Sequence, residues 1–96
     1  LTTKTATAAQ VTAAFNVARK AINDTGFGWL VSDTTIQPEA VQAANACVNA
    51  APAQQVTAVF AVCRSAIDAT GWGSYISDTQ LTPEAQAIVA AVNAAA

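Results

Sequence analysis

The sequence predicts an all-α fold: a compact four-helix domain built from two duplicated helix–loop–helix halves related by a pseudo-twofold axis. Three observations predict it. Hydrophobic residues make up 53% of the 96-residue chain, and much of that share is alanine, the strongest helix former. Apolar residues recur at helical spacing in two separate segments. Finally, Gln10 to Ala51 lies on Gln55 to Ala96 without a gap, and half of the aligned pairs are identical. A match over that length marks an internal duplication. Two units are too few for a solenoid, so each half is expected to cover the other within a single domain, 1–96, with internal repeats at about 10–51 and 55–96.

The first helix carries Val11, Phe15, Ala18 and Ile22 at spacings of four, three and four, an apolar stripe on one face. Thr12, Asn16, Arg19, Lys20 and Asn23 occupy the opposite face, and Gly26 stands where a helix C-terminal glycine belongs. The second helix is expected to begin at Pro38, since proline suits the first helical position and Glu39 favours the positive helix end. Gln37 is a poor cap for it. Its inward residues are Val41, Ala44, Cys47 and Val48, with Gln42, Asn45 and Asn49 left to water. Ala50 to Gln54 forms a short joint, which favours antiparallel neighbours.

The third helix repeats the first, with Val56, Phe60, Cys63 and Ile67 inward and Thr57, Arg64, Ser65 and Asp68 outward, ending at Gly71. Phe15 and Phe60 are both expected to be buried. The fourth helix is expected to start at Pro83 behind the good cap Thr82, burying Ile88, Val89 and Val92. Arg19 and Arg64 fall at matching positions and read as exposed helix-face charge. Asp33 and Asp78, in the repeated Ser-Asp-Thr, are placed to accept backbone N–H bonds in a turn.

Each half also carries a loop in which glycines frame an aromatic: Phe27 and Trp29 in the first, Trp72 and Tyr75 in the second. One reading makes these residues a lid that folds back over an open bundle end. The other makes them an apolar contact patch, since Tyr and Trp combine large apolar area with a polar tip. The alignment divides them. Phe27 and Trp72 match and read as structural, whereas Trp29 aligns with Ser74 and Tyr75 with Leu30, the tolerance expected of a surface that faces a partner. The glycines do not make a phosphate site, because no Lys follows and each loop leaves a helix rather than a strand.

Cys47 and Cys63 lie on stripes assigned inward, and a disulfide between them is expected. At ~1.5 Å per residue, Cys47 stands roughly 6 Å before the joint and Cys63 roughly 13 Å after it. The helices must therefore cross at an angle for the bond to form; two inert buried thiols are the alternative.

The absences bound the function. The chain has no histidine, which removes the usual general base, the commonest metal ligand and every His-based triad. Two cysteines alone do not complete an ordinary zinc site. The carboxylates Asp24, Asp33, Glu39, Asp68, Asp78 and Glu84 each read as a cap or a solvated helix-end charge, and no EF-hand pattern is present. No catalytic, cofactor or metal residues are therefore expected. Four basic and six acidic residues give a net charge of −2 without a basic cluster, so nothing supplies the phosphate contacts of a nucleic-acid binder. No apolar run reaches the ~20 residues of a membrane span.

The chain begins at Leu1 and has no Met, which reads as a processed chain or a unit of something longer, extracellular or surface-exposed. Asn23-Asp24-Thr25 is a glycosylation sequon that the second half lacks. The expectation is a non-enzymatic, secreted or surface-exposed helical protein of interaction or structural assembly, its partner a protein or a second copy of itself. The rival is a carrier of a small apolar ligand, such as a lipid, held between the helix pairs.

Overall fold

Thr7 opens the first helix. In the computed structural model, which describes residues 3–95, helix α1 runs Ala8–Asp24 behind a capping box in which Thr7 and Gln10 bond each other's backbone amides. Leu1, Thr2 and Ala96, which the 1–96 bounds and the second repeat include, lie outside the described residues. α1 ends as expected at Gly26, whose φ of 85° suits glycine alone among common residues. A 3-10 turn, Gly28–Leu30, then leads into α2, Asp33–Asn49. A second 3-10 turn, Pro52–Gln54, forms the joint to α3, Gln55–Ala69. Gly71 (φ 87°) and a third such turn, Gly73–Tyr75, connect α3 to α4, Asp78–Ala94.

Helices α2 and α4 start five residues before Pro38 and Pro83, not at them. The repeated Ser-Asp-Thr is the helix start itself. Ser32 and Ser77 are the N-caps, and Asp33 and Asp78 place a carboxylate in the first turn, where the helix dipole favours it. Neither Gln37 nor Thr82 caps anything; the Thr82 hydroxyl donates back to the Asp78 carbonyl at 2.9 Å. Each proline lies inside its helix at the sixth position, past the orphan amides of the first turn, and so leaves the carbonyl four residues back, Thr34 or Thr79, without its intrahelical N–H.

The two starts differ in quality. Ser77 and Gln80 form a capping box, whereas Thr35, the residue matching Gln80, is too short to reach back, and Ser32 makes no cap bond. Ser77→Ala is therefore expected to lower stability by about 1 kcal/mol, and Ser32→Ala by clearly less. Denaturant melts of the two variants check this, and equal losses would contradict it.

Each helix packs on the next, α4 closes back on α1, and α2 meets α4 across the centre. The buried layer is small: Ala14, Ala18, Ala40, Ala43, Ala44 and Ala85 surround Ile36, Leu81, Ile88, Val59 and Val92. Because alanine methyls fill the middle, the helices approach closely and leave no central space for a phenyl ring. Phe15 and Phe60, expected to be buried, are only partly so, packed on the edge of this core. Val41, expected inside, is exposed, and α2 instead turns Ala40, Ala43, Ala44 and Cys47 inward. The segment before α1 is strapped to the end of α2: the backbone amides of Lys4 and Ala6 donate to the side-chain oxygens of Asn49 and Asn45. No helix among the described residues is long and apolar enough to cross a membrane.

Candidate functional site

Both aromatic loops crown the same end of the bundle, where α1 and α3 finish and α2 and α4 begin. Side chains from the ends of α1 and α3 (Ile22 and Ile67), from the second loop (Ile76) and from the start of α4 (Leu81) line one small cavity there. What holds the loops is a pair of arginines. Arg19 donates from Nε and Nη2 to Asn23 Oδ1, from Nη2 to the Gly28 carbonyl, and from Nη1 to the Val31 carbonyl and Asp33 Oδ1. Arg64 does the same with Asp68, Gly73, Ile76 and Asp78. All five N–H donors of each guanidinium are therefore engaged. The expectation of exposed helix-face charge is wrong for both residues: each is largely covered and ties the loop to the helices on either side.

The close approach explains a glycine. A β-carbon on Gly73 would stand 2.0 Å from Asp68 Oδ1, the acceptor that Arg64 uses, and one on Gly28 would stand equally close to Asn23 Oδ1. Asp33 and Asp78 answer the arginines rather than a turn amide.

On this frame the aromatics point outward. Trp29 is 82% exposed, Tyr75 74%, Phe27 62% and Trp72 58%, with Leu30 beside them also exposed. Trp72 and Tyr75 lie against each other, ring centroids 5.7 Å apart. The lid reading fails for Phe27 and Trp72, because both rings stand more than half exposed to solvent instead of folding back over the bundle end.

A second feature lies inside the bundle, and the sequence reading missed it. Glu39 on α2 and Glu84 on α4 are 6% and 8% exposed. Each buries a carboxyl oxygen, Oε2, with no hydrogen-bond partner. Cys63 on α3 joins them, and donor atoms of the three side chains all lie within 4.8 Å of one another. Burial pushes Glu39 up from the ordinary 4.5 to about 7, against a smaller opposing pull from the Cys63 thiol. Burial, and then the Glu39 charge, push Glu84 to about 8. The Cys63 thiol is raised by burial first and by the two carboxylates after it.

These glutamates are thus not solvated helix-end charges. The signal was present in the sequence: Ile36, Glu39, Ala40, Ala43 and Cys47 share one helical stripe, as do Leu81, Glu84, Ala85, Ile88 and Val92. Starting the helices at the prolines hid it, by placing each Glu in a first turn.

The expected disulfide is absent: Cys47 and Cys63 are both free and buried. They stand at different heights. Cys63 sits with Glu39, whereas Cys47, two turns further along α2 (roughly 12 Å), faces Asn93 near the far end of α4. The helix crossing does not close that gap.

Along one side, between α1 and α4, runs an open groove of about 530 Å³, lined by Val17, Ala21 and Ala87 but also by Lys20, Asp24 and Glu84. Comparison of the chain with protein-family models, with curated proteins and with solved structures finds no match.

Proposed function

We propose that this chain is a non-enzymatic interaction or assembly module, secreted or surface-exposed, which binds a protein partner or a second copy of itself through the aromatic end of the bundle. One observation carries the reading: four aromatic side chains stand exposed at one end on loops that arginines hold fixed. Large rigid aromatics with polar tips are what interface centres enrich. Holding them in place beforehand lowers the ordering cost of binding.

The proposal includes the duplication. The halves are read as two units related by a pseudo-twofold axis, which would present the two loops together. Several pairings support it. The matching 3-10 turns and the five-bond arginine frames recur 45 positions apart, at Arg19 and Arg64. Gln10 and Gln55 also reach across to the carbonyls of Val92 and Cys47, themselves a matched pair.

Native mass spectrometry of protein from its natural source tests the reading. An oligomer or a protein-bound species is expected, and Trp29→Ala combined with Tyr75→Ala should dissolve it while leaving the melting temperature nearly unchanged. A bound apolar small molecule on an otherwise solitary chain would instead favour the carrier, whose support is the groove between α1 and α4. A chain with nothing bound, unchanged by the double variant, would end the assembly reading.

A further inference from the structure

Two acids facing each other inside a bundle, with no cation against them, are not a resting arrangement for two charges. Something positive must share the space. Protons are the minimal answer, but the third member of the cluster is a thiol, a weak hydrogen-bond donor that becomes a strong metal ligand once deprotonated. We propose that Glu39, Cys63 and Glu84 form a binding site for one zinc-class divalent cation.

Three features of the cluster carry this. The donors come from three different helices, α2, α3 and α4, and converge on one point, so helix packing fixes the site rather than a mobile loop. The donor–donor separations, all within 4.8 Å, are near what coordination needs. Bonds of about 2.0–2.3 Å to oxygen and sulfur place tetrahedral neighbours roughly 3.5 Å apart, so side-chain adjustments of about 1 Å suffice. And each carboxyl keeps an oxygen buried without any partner, a coordination position that nothing in the protein fills.

The donor set selects the ion. Two carboxylate oxygens and one thiolate suit Zn²⁺, whereas Ca²⁺ and Mg²⁺ take oxygen shells and avoid sulfur. Three protein ligands leave one position for a water or a bidentate carboxylate. Helix α1 adds no donor, since the residue matching Cys63 there is Ala18, buried and inert. A route in exists: Glu84 forms part of the wall of both the α1–α4 groove and the small cavity beneath the loops. As the cation enters, the thiol proton and any proton held by the carboxyls leave to solvent.

Cobalt(II), which takes zinc positions and is coloured, gives the direct test. Titrated into the folded chain after chelator treatment, it should bind at one equivalent and show a thiolate-to-cobalt charge-transfer band, and zinc should displace it. Cys63→Ser should abolish the band, and Cys47→Ala should keep it. Glu39→Gln and Glu84→Gln should each weaken zinc binding by more than about tenfold, the least that losing even an outer-shell partner removes. The Gln changes keep size and shape, and circular dichroism confirms that the variants fold. A wild-type chain that shows no saturable band, or a band that survives Cys63→Ser, overturns the proposal and leaves the carboxyl pair held by protons alone. The aromatic end is not involved, so failure here leaves the interaction reading intact.

Discussion

In the presence of a chelator, the protein is expected to melt at a markedly higher temperature at pH 5 than at pH 8. The cause is the buried carboxyl pair. Glu39 and Glu84 hold their protons to about 7 and about 8 in the folded chain, against an ordinary 4.5. Between those limits the unfolded chain has released protons that the folded one keeps. Stability is therefore fully present below about pH 4.5 and falls as pH rises through the folded values. The slope is up to about 1.4 kcal/mol per pH unit for each carboxyl. Domains of this size have about 5–15 kcal/mol in all.

The ionisable neighbours of the pair are few. Cys63 lies in the cluster, Lys20 and Asp24 share the groove with Glu84, and α1 offers only Ala18 at the position matching Cys63. Replacing both glutamates with Gln should flatten the profile and raise the melting temperature at pH 8. Thermal melts from pH 5 to 8 decide it, and a wild-type midpoint that rises with pH would refute the account. At pH 8 zinc should restore much of the lost stability, because it takes the place of the missing protons.

The other large effect concerns the core. Ile88→Ala is expected to cost about 2–5 kcal/mol, while Trp29→Ala should change stability by no more than about 0.5 kcal/mol. Ile88 is completely buried at the centre of α4, one of the few large side chains in a layer otherwise made of alanine, valine and cysteine. Its removal leaves a void that close-packed methyls do not move to fill. Trp29, though far larger, touches mostly water. Urea melts of both variants provide the check; comparable losses would mean that the loop is packed far more tightly than its exposure indicates.

How far the sequence could be read depended on which force left a mark on it. Helix existence and order were legible, because alanine content, the Val11 to Ile22 and Val56 to Ile67 stripes and the two glycines at 26 and 71 all point one way. The starts of α2 and α4 were not, since Pro38 and Pro83 are strong local signals, whereas the N-cap serines stand six residues earlier and one of them, Ser32, makes no side-chain cap bond. That error carried over to the site, because shifting the start outward puts Glu39 and Glu84 into the stripe and under the surface. The arginine frames were illegible for a different reason. Three of the five hydrogen bonds that Arg64 donates reach acceptors nine or more residues away, carbonyls and an aspartate that only the folded loop brings near. Helix periodicity carries no record of such contacts. The aromatic residues were visible as candidates, but alanine packing decided their direction, and alanine lies on every face of these helices.

That inversion, with the bulky rings outside and the methyls inside, sets what light can report about this molecule. Both tryptophans and the single tyrosine sit in the loops, and none lies in the core. Ultraviolet emission is thus expected to be a local signal, red-shifted already in the native chain and little changed when the bundle melts. Whatever covers the loop end should shift it to the blue. The protein carries its own fluorescent reporter, placed on the surface proposed to meet its partner.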